Sequence, residues 1–297
     1  MRSIIFENLP QIYFLALLLC LSVFVIYAVF IGPFNIKITK NTFDLFDDSS
    51  STIKIVLISD IENARYYSEY FQRVIEAINS QNADLILIGG DTIGNGKMLV
   101  AEDFSNGKID WGELEHLKNL KSKHGLYAVL GNHDYDCDHT RGDCKNKGND
   151  LYADKVEKKL KKLGIEVLRN EHRILKIKDR CFALIGIDDY WAHKSDYKKA
   201  AAGVPYGLPK VILSHNQFSV RGEKLKGRNL VLSGHTHWGR VRLPFITDYL
   251  LKLLGVADFN GGRFVLGENT ELYVTSGIAP GDARFLAPPE ISVLYLD

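Results

Sequence analysis

The chain has 297 residues, more than one average domain but within the range of a larger single-domain α/β enzyme. Hydrophobic residues make up 46% and charged ones 25%, an ordinary globular composition that excludes a disordered, collagen-like or disulfide-dense chain. Thirty-seven Lys and Arg against 36 Asp and Glu leave a formal charge of +1, which argues against a dedicated nucleic-acid binder, and four cysteines supply no disulfide framework.

No charged residue occurs from Asn8 to Ile36, and Ile12–Ile31 is apolar throughout except for Ser22. Twenty residues at about 1.5 Å rise make roughly 30 Å of helix, the thickness of a bilayer's hydrocarbon core. A buried soluble helix is rarely apolar on every face, and a signal peptide would show a shorter run followed by a small-x-small cleavage site. The expected N-terminal unit is therefore an uncleaved anchor over residues 1–41, spanning at about 12–31 and ended by Pro33. Arg2 precedes the span and Lys37 and Lys40 follow it, so the positive-inside rule leaves its orientation open. Residues 42–52, with Asp44, Asp47, Asp48 and a run of four Ser/Thr, read as a tether. Residues 53–297 read as one domain without internal repeats.

Within that domain, Ile53–Ile58 has the length and β-branching of a buried strand and ends in Ser59-Asp60. Tyr67, Tyr70, Phe71, Val74, Ile75 and Ile78 then share one helical face. Leu85–Ile88 is a second strand, ending in Gly89-Gly90-Asp91. Trp111, Leu114, Leu117 and Leu120 suggest another helix, and Leu126–Leu130 a third strand ending in Gly131-Asn132-His133-Asp134. Val211–Leu213 runs into Ser214-His215-Asn216, and Leu230–Leu232 into Ser233-Gly234-His235-Thr236-His237. The C-terminal part is strand-rich, at Phe264–Leu266, Glu271–Thr275 and Ile291–Leu296.

Five strands thus deliver Asp, Asn or His at their C-terminal ends, the edge where α/β sheets bind ligands. A lone His or a carboxylate after glycines is usually structural, but the set is not a random placement. These are oxygen and nitrogen ligands for a hard or borderline divalent cation, with no thiolate among them.

SDIE, GGD, GNHD, SHN and GHTH, in this order, resemble the motifs of the calcineurin-like metallophosphoesterases, and the resemblance covers about the whole of residues 53–297. KSKHGLYAVLGNHDY, IGIDDYW, GHTHWGRVRLPF and TSGIAP…PPEISVLYL are similar to a membrane-associated bacterial branch of that family, which includes proteins similar to UDP-2,3-diacylglucosamine pyrophosphatase. The resemblance implies a four-layer αββα sandwich with a two-metal site between the sheets. By position, Asp60 and His237 would bind one ion, Asn132, His215 and His235 the other, and Asp91 would bridge them. His133 would be the general acid or transition-state partner, oriented by a carboxylate, for which Asp134 is adjacent in sequence though another Asp could serve. Mn²⁺ leads the expected ions, with Mg²⁺, Fe²⁺ or Zn²⁺ as alternatives. The first motif departs from the family's Asp-x-His in having Glu62 at its third position. Glu62 could still ligate the first ion and harden the site, or it could point away and leave that ion weakly bound.

Other features carry less information. Cys137 and Cys144 bracket a segment after GNHD that looks like an insertion, either as a disulfide or as two free thiols. Cys20 and Cys181 read as packing residues, as does Trp191. Lys155, Lys158, Lys159, Lys161 and Lys162 suit a solvated helix face, with contact to anionic lipid as the minority reading. Leu243–Val256, directly after GHTH, is either core or an interfacial helix. His116, His124, His172 and His193 receive no role.

The expected function is a membrane-anchored phosphohydrolase that cleaves a phosphodiester or pyrophosphate bond with water activated by two metal ions. Its substrate would be a lipid or a lipid-linked nucleotide such as UDP-2,3-diacylglucosamine. One alternative is a general phosphodiesterase or phosphomonoesterase for soluble substrates, and another a non-catalytic scaffold with a degenerate metal site.

Overall fold

The computed structural model describes residues 9–46, 51–62, 67–94, 111–137 and 148–297. The apolar N-terminal run forms helix α1 (Leu9–Ile26), which continues through a π-helical turn at Tyr27–Ile31 and a 3₁₀ turn at Gly32–Phe34. Most of its large apolar side chains are exposed, and Gln11–Phe34 is long and apolar enough to cross a membrane by length and composition. Its C-terminal end is docked on the domain. Ala28 O accepts from Arg284 N at 2.7 Å, and the rings of Phe24 and Tyr27 meet Phe285 edge-on.

The described residues form two six-stranded sheets. In order across the first sheet are β1 (Lys37–Phe43), β12 (Glu290–Leu296), β2 (Ile53–Ile58), β3 (Leu85–Ile88), β4 (Leu126–Ala128) and β5 (Glu166–Val167). The second runs β10 (Gly262–Gly267), β11 (Thr270–Val274), β9 (Asn229–Ser233), β8 (Lys210–Ser214), β7 (Arg180–Ile187) and β6 (Glu171–Ile177). Strands β2 to β5 are mutually parallel, as are β7, β8, β9 and β11. Side-chain alternation divides each strand between two cores. Ile55, Leu57, Leu85 and Leu87 meet Val211, Leu213, Leu230 and Leu232 between the sheets. Val56, Ile58, Ile86 and Ile88 face helices α2 (Ser68–Asn79) and α3 (Asp150–Lys162) on the outside. Ile212 and Val231 face the thinner outer layer around α4 (Tyr197–Ala200). This is the expected α/β double-sheet sandwich.

One boundary is corrected. Lys37–Phe43, expected to end the anchor and begin a tether, is an edge strand paired in parallel with β12 from Lys37↔Glu290 to Phe43↔Leu296. Phe43, Leu45 and Phe46 are buried between the sheets. The acidic and hydroxyl residues around these three side chains hid an apolar triplet that the sheet edge needs to close its core; positions 47–50 lie outside the described residues. The helix expected over Trp111–Leu120 is a 3₁₀ helix, Gly112–Asn119. Cys20 and Cys181 are exposed rather than packed.

Candidate metal centre

Because parallel strands end at the same edge, the two sheets bring their polar termini together. Asp60 and Glu62 follow β2, Asp91 follows β3, Asn132 and His133 follow β4, His215 follows β8, and His235 and His237 follow β9. Hydrogen bonds lock the edges across the sheets: His235 N donates to the Asp60 carboxylate at 3.1 Å, and His215 Nδ1 lies 2.8 Å from Gly89 O. Close approach requires glycine at two points. A Cβ on Gly131 would stand 2.2 Å from Asp91 Oδ1, and one on Gly234 2.4 Å from Asp60 Oδ2. Asp60, Glu62, Asp91, His235 and His237 all have left-handed backbone, with φ of 52°, 53°, 50°, 72° and 47°. Each such residue costs on the order of 1–3 kcal/mol, and strain of this kind gathers where side chains must be aimed at a common point.

Two clusters result. In one, His215 Nε2 is 3.1 Å from both Asp91 Oδ2 and His235 Nδ1. Asn132 sends its amide Nδ2 to Cys137 O at 3.2 Å, and its Oδ1 is a buried acceptor with no hydrogen-bond partner among the described residues. In the other, His237 Nε2 stands 3.1 Å from Glu62 Oε1 and 3.5 Å from Asp60 Oδ1. Ligands about 2.1 Å from one ion at right angles stand about 3.0 Å apart, so the spacing of Asp91, His215 and His235 suits a coordination shell, and the orphaned Asn132 oxygen suits a cation. The Gly89 carbonyl aims His215 by holding its Nδ1, as metal-binding imidazoles require.

The charges agree. Burial pushes the Asp91 carboxyl up, but His215, His133 and His235 outweigh it and hold Asp91 far below the usual carboxylate range. Burial pulls His215 down, and Asp91 more than reverses this, lifting it to about 10. For Glu62, burial is outweighed by His237 and then Arg240, leaving it lowered to about 2. Glu62 Oε1 stands 3.1 Å from both His237 Nε2 and Arg240 Nη2.

Asp134 does not orient His133. Successive residues of a 3₁₀ turn such as His133–Tyr135 diverge by about 120°, and Asp134 points back into the protein. Its carboxylate accepts from Thr92 N and Oγ1, Ile93 N and Gly131 N, between 2.6 and 3.3 Å. It staples the Asp91 turn to the Asn132 turn. The carboxylate near His133 is Asp91, with His133 Nε2 3.8 Å from its Oδ2 and His133 N donating to its Oδ1 at 2.8 Å. Asp134→Ala should therefore lower stability by about 3 kcal/mol, through buried donors left without an acceptor. A thermal melt showing unchanged stability beside a selective fall in kcat would restore the orienting role.

Four further residues went unread in the sequence. Arg240 donates Nη2 to Glu62 Oε1 at 3.1 Å and pairs with Asp282. Arg284 is fully buried, donates to the Ser276, Ala279 and Ala287 carbonyls, and sets Nη2 3.3 Å from His237 Nδ1. Burial, then Arg240, lowers its guanidinium to about 10. Asp189 is buried beside His215, and burial raises it to about 7. Asp188, on the same strand end, accepts from Tyr135 Oη. Trp191 is buried as expected, with its ring edge-on to His235 at 3.9 Å. Charge type was visible for all of these, but which few of many charged side chains are buried is a tertiary property. Cys137 is buried and carries a disulfide bond, while Cys144 lies outside the described residues. His116 bonds Ser68 and Glu113, and His172 the Ala200 carbonyl, away from the centre.

The family model for calcineurin-like phosphoesterases matches residues 53–239. The chain belongs to that family. Its relatives include an uncharacterized metallophosphoesterase of Helicobacter pylori (strain ATCC 700392 / 26695), 31% identical over 266 residues, covering 86% of this chain and 63% of the relative. The chain thus spans less than two thirds of the length of that protein. Phosphodiesterase YaeI of Escherichia coli K12 is 27% identical over 278 residues, covering 91% of this chain and 92% of its own. The UDP-2,3-diacylglucosamine pyrophosphatase LpxG of Chlamydia trachomatis serovar D is 26% identical over 284 residues, covering 82% and 83%. All fourteen residues of GNHD, SHN, GHTH and GGD lie within the matched span, as do Asp60 and Glu62.

Proposed function

We propose that this calcineurin-like phosphoesterase is a metal-dependent phosphohydrolase that cleaves a phosphodiester or pyrophosphate bond. The observation that carries the proposal is the convergence of polar side chains at one edge from five strand ends, with Asp91, His215 and His235 at coordination spacing. Asp60, Glu62 and His237 would hold one divalent ion, Asn132, His215 and His235 a second, and Asp91 would touch both. When bound, the two ions supply an acidified water and neutralise charge developing on the phosphoryl oxygens. The chain's own groups do the rest. His133, partly exposed beside Asp91, donates a proton to the leaving oxygen. Arg240 holds Glu62, and Arg284 holds the far side of the His237 ring. The carboxylates Asp60, Glu62 and Asp91 would surround the ions largely with oxygen, which favours Mn²⁺ or Mg²⁺ over softer ions.

The substrate we propose is a lipid or lipid-linked nucleotide, reached by a chain anchored in a membrane through α1. Support comes from the apolar α1 and from the pyrophosphatase named among the relatives. The test is hydrolysis of bis(p-nitrophenyl) phosphate by the full chain in detergent, across added Mn²⁺, Mg²⁺, Zn²⁺ and Fe²⁺. Activity that requires a divalent ion is expected, highest with Mn²⁺ or Mg²⁺; inactivity with all four ions would leave the scaffold reading in its place. Glu62→Ala should remove one ion per chain and cut the rate by on the order of 10²-fold, while Glu62→His should restore binding and move preference toward softer ions. Unchanged metal content in both variants would remove Glu62 from the ligand set.

A further inference from the structure

Helix α5 (Ile246–Leu253) stands against the usual logic of an amphipathic segment, because none of its residues is buried. The side that touches the body is its more polar one. Thr247 and Leu251 close on Gly239, where an added Cβ would stand 2.3 Å from Thr247 Cγ2 and 3.4 Å from Leu251 Cδ1. Asp248 accepts from Asn260 Nδ2 at 2.7 Å. The apolar stripe of Ile246, Tyr249, Leu250 and Leu253, spaced as i, i+3, i+4 and i+7, faces outward. Phe245 before it is 89% exposed and Leu254 after it 70%. A stripe this regular and this exposed is built to meet an apolar phase outside the domain.

The position of α5 identifies that phase. The segment leading into the helix is stitched to the end of α1 through Phe285. Val241 forms a bridge with Phe285, Arg242 N donates to Phe285 O at 2.8 Å, and Phe285 N donates to Arg240 O at 2.9 Å. The Phe285 ring meets Phe24 at 4.8 Å and Tyr27 at 6.1 Å, both in the last turns of the apolar run. Outward-facing apolar side chains therefore begin where α1 joins the domain. Exposed Lys252, outside the apolar stripe, supplies a cation on the same helix.

We propose that α5 lies in the head-group layer of a lipid bilayer as a second membrane contact, with its stripe toward the acyl chains. This rests on the reading of α1 as a membrane span. Because α5 packs on Gly239, just beyond His237, the contact places the metal centre beside the lipid surface.

The test uses the full chain carrying Cys20→Ser and Cys181→Ser, in vesicles of phosphatidylglycerol and phosphatidylcholine. Single nitroxide labels are placed at Leu253→Cys, at Leu19→Cys in α1 and at Glu268→Cys in the exposed turn between β10 and β11. Collision with oxygen relative to a water-soluble nickel chelate reports depth. The Leu253→Cys label should exceed the Glu268→Cys label by at least about threefold, as a side chain at the head-group and acyl boundary does, and Leu19→Cys should be deepest. If Leu19→Cys is deep while Leu253→Cys matches Glu268→Cys, the α5 contact is wrong and the anchor stands. If Leu19→Cys is also water-accessible, the anchor and the α5 contact both fall. Dipolar broadening between Leu253→Cys labels without membrane depth would assign the stripe to a second copy of the chain and overturn the lipid proposal.

Discussion

Asp91→Ala is expected to strip at least one divalent ion from the chain and to lower phosphodiester hydrolysis by on the order of 10³-fold or more. Asp91 is the side chain proposed to touch both ions. Its Oδ2 is 3.1 Å from His215 Nε2, and its Oδ1 fixes the backbone that carries His133. Its negative charge is also what offsets the buried imidazoles. Without it, His215 and His235 face each other at 3.1 Å with their nearest counter-charge gone. Elemental analysis of the purified variant decides the matter, since two ions per chain retained would sink the bridging assignment. Asp91→Asn separates charge from shape, because it keeps the volume and one acceptor oxygen. It should bind metal better than the Ala variant but less well than the wild type.

His133→Ala should do the opposite, leaving metal content near wild type while kcat falls by roughly 10²-fold or more, the usual scale for a lost proton donor. His133 approaches Asp91 only at 3.8 Å, its Nδ1 makes no hydrogen bond among the described residues, and its side chain is 19% exposed. It therefore stands at the rim of the centre, where truncation leaves no buried cavity and removes no ligand. Substrates with better leaving groups should suffer less, because they need less protonation. Loss of metal together with rate would show that His133 is a ligand.

The contrast between Asp91 and Asp134 marks where sequence reasoning stops. Both follow glycine-containing strand ends, and both are buried. Asp91 faces the imidazoles of His215 and His235, whereas Asp134 takes hydrogen bonds from Thr92, Ile93 and Gly131. Nothing local distinguishes them, because the direction of a side chain leaving a tight turn depends on what surrounds it.

Patterns whose physics is local were legible in the sequence. Ile53–Ile58 and Leu85–Ile88 are the strands β2 and β3 to the residue, because short β-branched apolar runs between polar breaks have few alternatives. The polar residues ending the parallel strands likewise pointed to one edge, since parallel strands share a direction. The edge strand β1 was not legible. Its sequence KITKNTF is polar and becomes a strand through β12, some 250 residues later in the chain. The pairing of Glu62 with Arg240, the burial of Arg284 beside His237 and the outward face of α5 were closed to the sequence for the same reason. Residue type and periodicity determine what chemistry a segment can offer and which of its faces is apolar. Which charge meets which, and whether an apolar face turns to the core or to the outside, is decided by contacts between segments far apart in the chain, whose energies exist only once the sheets have assembled.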